Sequence, residues 1–156
     1  MPADQGSNPA LARQLIQASS TAALASLLTD GAPFASYVIT APAADGAPLL
    51  LLSRLALHSQ NIARDPRASL LFVRAPEEGS DNMTAARLTL TGRVLRDGNA
   101  DTPALFLARH PDAAGYAGFA DFSYYRFDVE GGHLVAGFGR IVGLAPADLV
   151  GHARAA

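Results

Sequence analysis

Apolar residues fall into short blocks separated by polar and glycine-rich turns, and their spacing changes from block to block. Near the N-terminus Leu11, Leu15 and Ile16 form one helical stripe, with Asn8 read as the N-cap and Pro9 as the first helical residue. Ser19-Ser20-Thr21 interrupt that stripe. The block Ala22–Leu28 suits helix or strand on its own. The Asp30-Gly31 turn and the following Phe34–Thr40 (FASYVIT) make it the first arm of a β-hairpin. A turn at Asp45-Gly46 leads into an apolar strand through Leu49–Leu52. Ser59 is then placed to cap a short helix over Gln60–Arg64, which Asp65-Pro66 stops. The unbroken apolar run Ala68–Val73 (ASLLFV) predicts a buried strand.

Beyond the polar loop Ala75–Asn82, the segment Arg87–Leu95 alternates: Leu88, Leu90 and Val94 point one way, and Arg87, Thr89, Thr91 and Arg93 the other. Asp97-Gly98 turns the chain, Thr102-Pro103 opens a helix through Arg109, and a second short helix is expected over Ala113–Phe119. Ser123–Val129 reads as a strand, Gly131-Gly132 as a tight turn into a strand over His133–Phe138, and Pro146 as the start of a last short helix. Many strands joined by tight turns, with short helices between them, predict a mainly β (α+β) fold: a six-stranded antiparallel barrel with flanking helices. Residues 1–7 read as a flexible tail and 8–156 as a single domain.

Composition narrows the chemistry. Hydrophobic residues make up 49% of the 156 and mean hydropathy is +0.16, which excludes a disordered chain and favours an oligomer with a buried interface. The longest aliphatic run is Leu49–Leu52, far short of the ~20 residues of a membrane helix. No secretory signal is visible at the N-terminus and cysteine is absent, so the expected compartment is the cytoplasm. Twelve basic and fourteen acidic residues give a net charge of −2 without a basic stripe, which argues against nucleic acid as partner. Every basic residue is arginine. Lysine Schiff-base chemistry, cysteine nucleophiles and thiolate metal sites are therefore excluded.

Among local motifs, Gly137-x-Gly139-x-x-x-Gly143 approaches a dinucleotide fingerprint but is followed by too short a stretch for a βαβ unit. His58, His110, His133 and His152 show no helical metal-site spacing. His58 stands out by its surroundings. Ser53-Arg54-Leu55-Ala56-Leu57-His58-Ser59-Gln60-Asn61 offers hydroxyls, a guanidinium, an imidazole and an amide near a helix N-terminus. Such a place suits a phosphate. The competing reading is purely structural, with Ser59 capping and Asn61 bracing a turn. Arg87 and Arg93 read either as an anion-binding pair or as a solvated stripe. The stretch Tyr116–Phe127 is aromatic-rich and reads as core or subunit interface. No Ser–His–acid arrangement or carboxylate pair stands out, so redox or transfer chemistry would have to come from a cofactor.

Several of these segments occur together in one known family. Pro33–Val38, Leu52–Asn61, Asp65–Leu71, Arg87–Gly92 and Arg109-His110-Pro111, followed by Tyr116, Asp121-Phe122, Tyr125-Arg126 and Gly137-Phe138-Gly139-Arg140, resemble the pyridoxamine 5′-phosphate oxidase-like split barrels. Within these the resemblance is to the branch with haem-utilisation proteins, in order over residues 8–150. It implies a six-stranded split barrel working as a homodimer, with a cofactor site at each side of the interface and neither membrane nor nucleic acid as partner. It also implies flavin mononucleotide as cofactor: Ser36, Ser53, His58, Ser59 and Asn61 would hold phosphate and ribityl, Arg87 would stand on an adjoining strand, and Val38 and Leu55 would offer backbone contacts to the ring.

The departures are informative. The strand Ser36–Ala41 lacks the Arg and Lys of true pyridoxamine phosphate oxidases, His58 replaces a basic residue, and Arg140 is followed by Ile141-Val142 where an Arg-x-His motif is absent. Oxidation of pyridoxamine phosphate is therefore not expected. The leading expectation is a flavin-dependent oxidoreductase of unknown substrate. The alternatives are a haem-binding or haem-utilisation protein with His58 or His152 as iron ligand, and a dimeric binding module without a cofactor.

Overall fold

A computed structural model describes residues 6–137 and 139–151. The chain runs through α1 (Asn8–Ala18), β1 (Thr21–Leu27), β2 (Pro33–Pro42), β3 (Pro48–Ser53), α2 (Leu57–Arg64), β4 (Arg67–Val73), β5 (Arg87–Arg96), α3 (Thr102–Arg109), β6 (Phe122–Val135), β7 (Ile141–Leu144) and α4 (Pro146–Leu149). Neighbouring strands follow the order β3-β2-β1-β4-β5-β6-β7, and β3 also pairs with β6. That last pairing closes six antiparallel strands into a barrel, while β7 extends the sheet along the far half of β6. The expected α+β split barrel is the observed fold.

Two cores hold it. The barrel interior collects Leu24, Val38, Leu50, Leu52, Leu70, Phe72, Leu88, Leu90 and Phe127, and α1 closes one end with Ala12, Leu15 and Ile16. A second core outside the barrel joins Leu49, Leu51 and Ala41 to Phe106 of α3. The leucine run therefore divides by parity, Leu50 and Leu52 inward and Leu49 and Leu51 outward, and both faces of β3 are buried. His110 Nε2 lies 2.7 Å from the Thr40 carbonyl and ties the end of α3 to β2. Arg126 of β6 pairs with Asp45 in the β2–β3 turn and holds that carboxyl below its ordinary pKa.

Five local expectations need correction. The cap of α1 is Ser7, whose Oγ accepts the Ala10 N–H at 3.2 Å, so Asn8 is already helical and Pro9 follows it. Helix α2 starts one turn before Gln60, because the Ala56 carbonyl accepts the Ser59 and Gln60 N–H groups; Ser59 lies inside the helix and does not cap it. Strand β4 is buried on one face only: Leu70 and Phe72 are inside, while Leu71 and Val73 are 37% and 50% exposed, since nothing among the described residues covers the barrel there. Gly131-Gly132 is not a turn. β6 passes straight through it, held by β5 on one side and β7 on the other. Space is tight on this stretch: a Cβ on Gly132 would lie 2.8 Å from the tip of Leu149, at Cδ1, and one on Gly131 would lie 3.3 Å from Thr91 Oγ1. The second short helix is a 3-10 turn over Pro111–Gly115, and the end of the expected strand at Phe138 lies outside the described residues.

The β5–β6 ladder shifts register between Thr91 and Gly92, where Thr91 faces Gly131 and Gly92 faces Val129. A Cβ on Gly92 would lie 2.0 Å from the Asp128 carbonyl oxygen and 2.9 Å from Phe127 Cε1. Gly92→Ala is therefore expected to destabilise the fold by about 2–3 kcal/mol, read as a lower urea midpoint at unchanged slope. An unshifted midpoint would show that β6 retreats from β5 at negligible cost.

Candidate functional site

The split in the barrel creates the site. β2 and β3 pair only from Pro42↔Pro48 to Thr40↔Leu50. Beyond that point β2 continues along β1, and β3 continues along β6 to Ser53↔Phe122. Each strand is committed to its other neighbour, so the two diverge. The groove between them has a volume of about 350 Å³. Its walls are Tyr37, Val38 and Ile39 on one side and Leu51 and Leu52 on the other, with Tyr116 and Phe122 adding aromatic surface. His58 and Ser53 are its polar members.

Helix α2 sets His58. Asn61, three residues on, is 1% exposed; its Nδ2 donates to Ser26 Oγ at 3.1 Å and its Oδ1 accepts from Arg64 at 3.2 Å. With that anchor in β1, the His58 ring reaches Ser36, and His58 Nδ1 and Ser36 Oγ lie 3.0 Å apart. Burial lowers the His58 pKa below the ordinary histidine value. A neutral ring whose Nδ1–H donates to Ser36 keeps its lone pair on Nε2, for which no partner occurs among the described residues. Ser53 is braced instead: its Oγ donates to Asp121 Oδ2 at 2.7 Å and accepts the Leu55 N–H at 3.2 Å, which fixes the β3–α2 loop.

The residues singled out by the sequence thus separate into groups. Ser36, Val38, Ser53 and His58 converge on the groove or its rim, and Leu55 stands 75% exposed on the adjoining loop. Asn61 is spent on internal bonds, and Ser59 lines a different cavity on the other side of α2. Arg87 does not line the groove; its Nη1 donates to the Met83 and Ala85 carbonyls at 3.2 Å each. His152 lies outside the described residues. Tyr37, a groove residue that local motifs do not single out, is 75% exposed. It lies on the part of β2 that has parted from β3 and pairs with Ala23 of β1.

The profile of the family described as CREG, beta-barrel matches residues 3–148. The chain belongs to the CREG β-barrel family. Among proteins similar to this CREG β-barrel is the noncanonical heme oxygenase HOZ, chloroplastic, of Arabidopsis thaliana, 36% identical over 111 residues. That match takes in 69% of the chain but 33% of HOZ, so the chain spans about one third of this curated relative. A solved heme binding protein from Mycobacterium smegmatis superposes with a TM-score of 0.84 at 33% identity, over 92% of this chain and 60% of that one. The heme storage protein HutZ of Vibrio cholerae gives a TM-score of 0.66 at 20% identity, over 83% and 94% of the two chains, a likeness of fold. The structural neighbours of this CREG β-barrel thus lie in the pyridoxamine phosphate oxidase-like split-barrel fold.

The environment of His58 makes a direct prediction for this CREG β-barrel. Its NMR titration midpoint is expected below about 6.5, leaving the imidazole neutral at pH 7. The unfolded chain then takes up the proton at higher pH than the folded one. Stability should therefore fall as pH drops through about 6.5 towards the folded midpoint, and His58→Gln should remove that part of the slope. A midpoint at or above 6.5 would mean a solvated ring.

Proposed function

We propose that this chain binds haem in the β2–β3 groove, where His58 Nε2 would hold the iron. The observation that carries this reading is the Ser36–His58 pair inside an apolar and aromatic cleft. Ser36 occupies one ring nitrogen and burial favours the neutral ring, so the other nitrogen would keep a lone pair with which to hold iron. The fit extends to the walls. Val38, Ile39, Leu51 and Leu52 line the groove with apolar side chains, and Tyr37, Tyr116 and Phe122 add aromatic rings against which a macrocycle could pack. When bound, the haem would supply the redox chemistry, while the chain orients it and keeps water from one face. The names of HOZ and the mycobacterial heme binding protein favour the same cofactor.

Flavin mononucleotide fits less well. Its phosphate is a dianion, and no arginine among the described residues lines the groove. Ser53 Oγ already donates its hydrogen bond to Asp121, and Asn61 and Ser59 are turned elsewhere.

Haem titration under reducing and non-reducing conditions tests the proposal. A saturable Soret band is expected for the native chain, with at least a tenfold loss of affinity in His58→Ala and about tenfold in Ser36→Ala. Micromolar flavin binding without haem uptake would overturn it, and an unchanged Soret band in His58→Ala would remove the ligand assignment.

A homodimer is part of the same proposal. The row Tyr37, Ala23, Leu71, Thr89, His133 runs across five strands on the outer face of the barrel, and the next row is Ala35, Ala25, Ser69, Thr91 and Gly131. Neither row carries an Arg, Asp or Glu, and Tyr37 belongs both to this face and to the groove. A second copy seated there would complete the open side of the cleft. Leu71→Asp is expected to convert a dimer to a monomer in sedimentation analysis; a native chain that sediments as a monomer at micromolar concentration would exclude this interface.

A further inference from the structure

On the other side of α2 from His58 lies a second cavity of about 440 Å³, walled by Arg54, Ser59, Ile62, Val94, Arg96 and Tyr125. It is separate from the groove and shares no lining residue with it. Two observations set it apart from an ordinary surface hollow.

The first concerns arginine. Among the described residues, the other arginines donate hydrogen bonds: to carboxylates in Arg67, Arg93 and Arg126, to side-chain amides in Arg64 and Arg74, and to backbone carbonyls in Arg13, Arg87 and Arg109. Arg140 bonds to Asn8. Arg54 and Arg96 have no such partner and both line this cavity, Arg96 lying 5.8 Å above the Tyr125 ring. No acidic side chain lines it with them.

The second concerns Ser59. It is 4% exposed, and its Oγ has no hydrogen-bond partner among the described residues. A helical serine ordinarily bonds the carbonyl four residues back. Here that carbonyl, Leu55's, accepts Gln60 Nε2 at 3.3 Å instead. A buried hydroxyl left without a partner is unfavourable in the free protein, and Ser59 stands in the wall of a cavity that Arg54 and Arg96 also line.

We propose that this cavity is a second ligand site, for a small organic carboxylate with an apolar body. The planar guanidinium groups match a carboxylate by paired N–H donors. Ile62, Val94 and Tyr125 receive the apolar part, and Ser59 Oγ donates to a polar atom of the ligand at the inner wall. An inorganic anion would satisfy the charges and leave the apolar wall wet, so the body of the ligand contributes as well as its charge.

The test uses the whole chain and 2-naphthoate as probe, followed by its fluorescence and by amide chemical shifts around α2. Saturable binding of one probe per chain is expected. Neutral 2-naphthamide and inorganic phosphate should each bind at least tenfold more weakly. The double variant Arg54→Gln/Arg96→Gln should also lose at least tenfold, with unchanged circular dichroism. Ser59→Ala should weaken the probe several-fold without lowering the melting temperature of the free protein, because it removes an unpartnered hydroxyl. Equal binding of the amide or of phosphate, or insensitivity to the arginine pair, would overturn the proposal. His58→Ala should leave naphthoate affinity unchanged, and a loss there would place the probe in the groove instead. Haem titration of the arginine variant, expected to match the native chain, keeps the two sites distinguishable.

Discussion

The burial of β3 on both faces constrains everything else in this molecule. Leu50 and Leu52 belong to the barrel interior, and Leu49 and Leu51 to the outer core against α3. A strand held from both sides cannot slip by one residue without exchanging its two sets of leucines. Its register against β6 is therefore firm over Leu49–Ser53. β2 is held as firmly by β1 over Thr21–Leu27. The two strands meet for three pairs and must then part. The groove is the geometric result of two ladders that cannot both be followed.

Chemistry enters through helix α2, which bridges that opening. One helix, anchored by the buried amide of Asn61, presents different surfaces to its two sides. Towards the split it offers a neutral imidazole backed by a hydroxyl; towards the other side it offers Ser59 and the apolar Ile62, beside two guanidinium groups. The first surface suits iron in an apolar macrocycle and the second an anion. Fold alone distinguishes neither, since split barrels of similar backbone carry unrelated functions. The distinction rests on which hydrogen-bonding groups are already satisfied inside the protein.

Much of the architecture is legible along the chain. Alternation in Arg87–Leu95 and the turns at Asp30-Gly31 and Asp45-Gly46 place four strands and two hairpin connections where they occur. What local pattern misjudges depends on distant partners. Ala68–Val73 looks wholly buried, yet only the barrel-facing Leu70 and Phe72 are buried, because no outer core covers β4 as it covers β3. Gly131-Gly132 looks like a turn because the space shortage imposed by Leu149 and Thr91 is invisible in sequence. At the site, spacing brings out the segment Ser53–Asn61 but not which way each side chain turns. The helix begins at Leu57 rather than after Ser59, and that single turn sends His58 and Ser59 to different cavities. Ser36 joins His58 through a contact that no short-range pattern encodes.

The closing pair β3–β6 has a consequence for how the chain reaches this state. Leu50 is made early in synthesis and its partner Tyr125 late, with β4, β5 and α3 between them. Until β6 arrives, the most apolar strand of the protein has an open hydrogen-bonding edge and faces that nothing yet covers. Long-range closure of this kind is slow compared with hairpin formation. The β1–β2 hairpin and the β4–β5 pair are local and available first, so barrel closure is the step on which folding speed and aggregation compete. The residues that divide the leucine run between two cores are thus also the ones a nascent chain must keep from other chains the longest.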